Sequence, residues 1–198
     1  LNNPKHPERH SLADFQVWLV HWLGHAAPPI AEFMRSKWGW PMAESIHFLG
    51  LSMLVGCIGM FDLRLLGIGK RIPIAALHKL IPLGLTGFAI NITSGSLFLL
   101  TEPDQYIYNP SFQFKVLFIM IAGLNALSFY AMSWKRATAE GAPPEAPRYA
   151  KLVAVVSLSM WIGVIVCGRL LTFYRPGGCP DSGPGLIADC NPLIKAQF

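Results

Sequence analysis

Charge is scarce in these 198 residues: Asp, Glu, Lys and Arg together make up 14%, against about 25% in a soluble domain. With 53% hydrophobic residues, a water-soluble globule of this size would leave large apolar patches exposed. A disordered chain is excluded as well, because so apolar a sequence must bury surface somewhere. Nucleic-acid binding loses its footing, since no basic run with interleaved aromatics occurs. No Ser-His-Asp order, Walker motif, dinucleotide fingerprint or HExxH occurs either, which leaves hydrolytic and nucleotide-driven chemistry unsupported. No inverted repeat points to a transporter.

What is present is apolar length. Four blocks of about 25 residues run from Pro41 to Leu66, Ile74 to Leu100, Pro110 to Trp134 and Tyr149 to Tyr174. Each exceeds the ~20 residues that cross ~30 Å of hydrocarbon. The expected fold is all-α: a membrane-spanning, up-down four-helix bundle joined by short connections. Pro41 and Pro110 stand where a first helical turn accepts proline, whereas Pro82 inside block two predicts a kink. Small residues at or near four-residue spacing (Gly56 and Gly59, Gly84 and Gly87, Ser94 and Gly95) suit close helix packing in lipid.

Ahead of the blocks, Ser11–Ala27 is too short to span. Leu12, Phe15, Leu19, Trp22, Leu23 and Ala26 form an apolar stripe at helical spacing, with Asp14, Trp18, His21 and His25 assigned to the other face. This predicts an amphipathic helix lying in the membrane interface and ended by Pro28-Pro29. The chain then divides into an N-terminal segment 1–37, the bundle 38–175 and a Gly/Pro/Cys-bearing tail 176–198. It opens at Leu1 without a Met or a charged leader, which leaves room for an upstream segment.

Sidedness follows from the loops. The first link carries Arg64, Lys70, Arg71 and Lys79, and the third carries Lys135, Arg136, Arg148 and Lys151. The middle link, Thr101–Phe114, holds Glu102 and Asp104 but no Lys or Arg. The positive-inside rule then places both termini on the periplasmic side of a bacterial inner membrane, against a minority vote from Lys5, Arg9, Arg35 and Lys37. On that side Cys179 and Cys190 are placed to form a disulfide. Cys57 and Cys167, inside apolar blocks, read as small hydrophobes.

Ionisable residues inside spans are costly and point to function. At ~1.5 Å per residue, His47 lies roughly 9 Å below Pro41 and Lys115 roughly 7–8 Å below Pro110. Arg169 lies at a similar depth from Tyr174. Glu44 is one turn from His47, and Asn91, Thr93 and Ser96 add neutral polar groups. Two readings stand side by side. In one, His47, Lys115, Arg169, Glu44 and Asn91 line an outer-leaflet pocket for a quinone, a haem propionate or another anion. In the other, Lys115 and Arg169 snorkel to headgroups while His47 pairs with Glu44.

Haem b asks for two axial His from facing helices. Blocks three and four contain none, and His78 enters from the opposite leaflet to His47. The pairs His6/His10 and His21/His25 have the i,i+4 spacing that puts two imidazoles on one helical face, so a copper or zinc ion held by His21, His25 and His47 is a further possibility. Asp62, Arg64, His78 and Lys79 read as ion pairs anchoring the first turn. Asn125 reads as an interhelical hydrogen-bond donor.

The series Glu44-Ser45-Ile46-His47-Phe48-Leu49-Gly50, Asp62-Leu63-Arg64-Leu65-Leu66-Gly67, Gly87-Phe88, Ser94-Gly95, Asn109-Pro110-Ser111-Phe112 with Lys115, Asn125 and Gly168-Arg169 resembles a widespread family of bacterial four-helix inner-membrane proteins of unknown function. The likeness covers about Trp38 to Tyr174. More loosely, it is similar to bundles of the copper-resistance D and cytochrome b561 type. The resemblance implies a fold and a membrane location but no activity. Two functions from different classes are therefore expected: a small subunit binding haem b or quinone for electron transfer beside a periplasmic oxidoreductase, or a non-catalytic accessory subunit of a larger membrane complex. Both take the bilayer and other membrane or periplasmic subunits as partners.

Overall fold

A computed structural model describes residues 7–132 and 146–173, with side chains described from Asp14 onward. Residues 133–145 and those from Tyr174 onward, with the expected Cys179–Cys190 bridge, lie outside the described residues. Every described element is a helix: α1 (Pro7–Ala26), α2 (Pro28–Arg35), α3 (Gly39–Leu65), α4 (Ile74–His78), α5 (Ile81–Thr101), α6 (Pro103–Ile107), α7 (Pro110–Met132) and α8 (Arg148–Leu170). Four segments are long and apolar enough to cross a membrane: α3, the α4–α5 stretch Ile74–Thr101, α7 and α8. The chain is a membrane protein with transmembrane helices.

The breaks between elements have local causes. Proline lacks an N–H, and its ring clashes with the carbonyl four residues back. For Pro82 that residue is His78, where α4 stops. The expected kink is thus a full interruption at Lys79–Leu80, with Pro82 in the first turn of α5. Asn109 caps α7: its Oδ1 accepts the Ser111 N–H at 2.9 Å, and Pro110 follows where the missing N–H costs nothing. The turn after α3 is made by Gly67 and Gly69, both at positive φ (102° and 69°), a region open to glycine.

The spans pair as α3 with α5 and α7 with α8, and α3 also packs on α8. At the turn end, where α3 and α7 finish and α5 and α8 begin, Phe61, Leu65, Ile74, Phe129, Ala150 and Val153 form one apolar cluster. At the opposite end α1, α2 and α6 cover the helices; Met34, Ala43 and Phe98 are the core of this cap, with Trp40 and Tyr106 against them. Arg35 Nη2 donates to the Thr101 carbonyl at 3.1 Å and pairs with Glu102 at 3.5 Å, tying α2 to the end of α5.

α1 begins earlier than the expected Ser11–Ala27, and Phe15 and Trp22 of the expected apolar stripe are exposed beside Trp18, His21 and His25. Phe15, Trp18 and Trp22 stack on one another, with centroids 6.0 and 6.3 Å apart, and all three are exposed. Trp18 lies only 60° around the helix from Phe15 at 100° per residue, so it continues the aromatic ladder. Among the described side chains of this helix Leu23 is the buried one.

Candidate functional site

The site grows from a close approach of α3 and α5. A Cβ on Gly87 would stand 2.6 Å from the Gly50 carbonyl and 2.8 Å from Leu54 N. Only glycine allows two backbones this near. Gly56 and Gly59, expected to serve the same purpose, face open space instead. One turn beyond Gly87, Asn91 Nδ2 donates to the Gly87 carbonyl (3.2 Å) and across to the His47 carbonyl (3.3 Å). Asn91 therefore fastens the two helices with its Nδ2.

His47 lies against the same face of α5. Its Nδ1 is 2.8 Å from Ser94 Oγ, and its edge meets Phe98 with centroids 5.9 Å apart. Ser94 has one hydroxyl proton, and Oγ sits 2.7 Å from the Ile90 carbonyl, which can only accept. With that proton on Ile90, Ser94 accepts from His47 Nδ1–H. The ring is then fixed as the Nδ1–H tautomer, and Nε2 keeps a free lone pair. The polar residues of α5 sort by face: Thr93 and Ser96 are exposed and bond back to Ala89 and Ile92 of their own helix.

Lys115 comes from α7. Its ammonium runs beside α8, where a Cβ on Gly168 would lie 3.6 Å from Nζ. It interacts electrostatically with Cys167 and, from the other hairpin, with His47. Among the described residues it makes no hydrogen bond or ion pair. The structure thus associates His47 with Lys115 but sends Arg169 elsewhere: Arg169 is exposed, its guanidinium 5.4 Å from the Phe173 centroid. Glu44 is exposed too, and it is Ser94, not Glu44, that holds His47.

His21 and His25 are stacked on α1, centroids 4.4 Å apart. Among the described residues no three His, Cys, Asp or Glu side chains are grouped as a metal ion would need, so His21, His25 and His47 do not meet as one triad. At the turn end the expected anchor residues Arg64 and His78 make hydrogen bonds. Arg64 donates from Nε to the Ile72 carbonyl (2.6 Å) and from Nη2 to the Lys70 carbonyl (3.3 Å). His78 Nε2 meets the Tyr130 hydroxyl at 3.0 Å. Asp62, 4% exposed, has its Oδ2 buried with no hydrogen-bond partner among the described residues, and Asn125 donates to the Val153 carbonyl at 2.8 Å.

Ser94, Cys167 and Gly168 were not legible as site residues. Ser94 reads as a small packing residue until its place on the Asn91–Phe98 face is known, and the spacing of those three residues (i, i+3, i+7) is the signal that could have found it. Compared with known proteins, the chain matches no family model, no curated protein and no solved structure.

Proposed function

We propose that this protein is a small membrane subunit that binds a quinone-class molecule between His47 and Lys115 and serves electron transfer beside a partner oxidoreductase. The observation that carries this reading is the Lys115 ammonium without an acceptor among the described residues. A half-buried cation inside a span gains from an oxygen ligand, and the neighbouring imidazole offers a lone pair. A quinone or quinol supplies the complement: a carbonyl oxygen to accept from Lys115 Nζ, and a hydroxyl to donate to His47 Nε2. Haem b fits these residues less well, because a second axial His is lacking in α7 and α8. The arrangement is an up-down bundle in a bacterial inner membrane, the cap end and both termini periplasmic, with α1 in the interface through its aromatic ladder.

Two experiments test it. Protein purified in mild detergent and extracted with organic solvent yields a quinone by its ultraviolet spectrum, and Lys115→Met or His47→Ala lowers the yield about tenfold or more, as the loss of a charged or imidazole hydrogen bond predicts. Equal yields from both variants and the parent would sink the ligand site and leave the accessory-subunit reading. A cysteine placed at Asp104 is labelled by an impermeant maleimide in intact cells, while one placed at Ala139 is not; the reverse pattern overturns the sidedness.

A further inference from the structure

The helix ahead of the spans carries two imidazoles that the ligand site leaves unused. His21 and His25 are exposed on α1, their rings stacked with centroids 4.4 Å apart and planes at 28°. His25 Nδ1 lies 2.8 Å from the His21 backbone oxygen. A carbonyl oxygen can only accept, so Nδ1 carries the proton and Nε2 keeps its lone pair. A ring nitrogen anchored in this way, with the other left free, is the usual preparation of a metal-binding histidine. His21 makes no side-chain hydrogen bond among the described residues, so its ring can turn to meet an ion.

Distance and ligand softness narrow the choice of ion. Two nitrogens at ~2.1 Å from a tetrahedral or tetragonal ion lie roughly 3–3.5 Å apart, so the rings, with centroids 4.4 Å apart, reach one ion once His21 turns about its side-chain bonds. Two imidazoles with open positions filled by water suit borderline divalent ions, and the Irving–Williams order puts Cu(II) ahead of Zn(II). We propose that His21 and His25 form a two-imidazole, water-completed site for Cu(II) on the exposed face of α1. The site stands apart from the His47–Lys115 pair and does not rest on it.

Trp22 adjoins His21 and stacks on Trp18 at 6.3 Å, so bound Cu(II) reports itself by quenching tryptophan fluorescence. The full chain in detergent, with His6 and His10 replaced by Ala to silence the other histidine pair, is titrated with copper(II) chloride in a weak glycine buffer. One equivalent quenches the emission, and the electron paramagnetic resonance spectrum shows coupling to two imidazole nitrogens. His21→Ala and His25→Ala each raise the copper concentration at half-quenching at least about tenfold, whereas His47→Ala leaves it unchanged. Quenching that survives in both His21→Ala and His25→Ala, or coupling to a single nitrogen, overturns the site. Because quinone content is read separately, failure here leaves the His47–Lys115 reading standing.

Discussion

The two ends of the helices treat a cation in opposite ways. At the turn end Arg64 is 3% exposed, and its guanidinium is taken up by the carbonyls of Ile72 and Lys70. At the cap end Lys115 runs between α7 and α8 with no acceptor among the described residues. The first cation belongs to the fold: it supplies hydrogen-bond donors to the carbonyls of a glycine-bearing turn. The second, half-buried, makes no comparable contact and still carries a charge inside a span, which is costly. A charge retained without a structural partner points to a ligand, and this contrast can be broken by experiment.

The largest expected effect comes from exchanging these roles. Arg64→Ala strips donors from two carbonyls and destabilises the protein by about 3 kcal/mol, the range for hydrogen bonds to charged groups. Lys115→Met, of similar length, removes an unsatisfied ammonium and leaves stability within about 1 kcal/mol of the parent. Thermal unfolding in detergent, followed by circular dichroism, measures both. Equal losses would erase the distinction and return Lys115 to a structural role.

The helix pair that carries the site sets the next effect. Gly87→Ala drives a methyl against the Gly50 carbonyl and Leu54 N. Overpacking costs about 1–3 kcal/mol, at the upper end here because the obstacle is backbone. Gly56→Ala meets nothing within 4 Å and gains up to about 1 kcal/mol of helix propensity. A comparable change in both would mean that α3 and α5 do not approach through Gly87.

Asn125→Leu gives a smaller loss. It removes the donor to the Val153 carbonyl that links α7 to α8, worth about 0.6 kcal/mol for interhelical hydrogen bonds in membranes. The α3–α5 pair, fastened by Asn91, should be untouched. Crosslinking of paired cysteines across each hairpin separates the two. Loosening of both would show the hairpins to be one cooperative unit.

These comparisons also mark what the sequence could reveal. Length and apolar character made the four spans legible, because a helix must satisfy its own backbone in lipid. Rise per residue gives His47, Lys115 and Arg169 an expected depth but no azimuth: Gly168 faces Lys115, so Arg169, 100° further round, points away and meets Phe173 instead. The same gap explains the glycines. Spacing identifies which small residues share a face, but only packing decides whether that face meets another helix, as Gly50 and Gly87 do and Gly56 and Gly59 do not. Ser94 was hidden for the complementary reason, since its partner His47 lies on another helix.

The smallest effect lies in the cap. Tyr108 is 8% exposed, and its hydroxyl is buried with no hydrogen-bond partner among the described residues. Burial, and then the Asp104 carboxylate, raise its phenol above the ordinary range. The folded chain therefore favours the neutral phenol, and the sign of the linkage follows. Stability is unaffected below the unfolded value of about 10 and falls as pH climbs past it, because the unfolded chain releases the proton first. Tyr108→Phe removes an unpaired hydroxyl from an apolar setting, so it leaves stability at neutral pH unchanged or up to about 1 kcal/mol higher. It also flattens this residue's share of the alkaline decline. Unfolding midpoints for parent and variant at neutral pH and above pH ~10 check both parts. A loss of stability in Tyr108→Phe at neutral pH would mean that the hydroxyl does have a partner, and that the cap end holds a polar contact where the structure shows an apolar one.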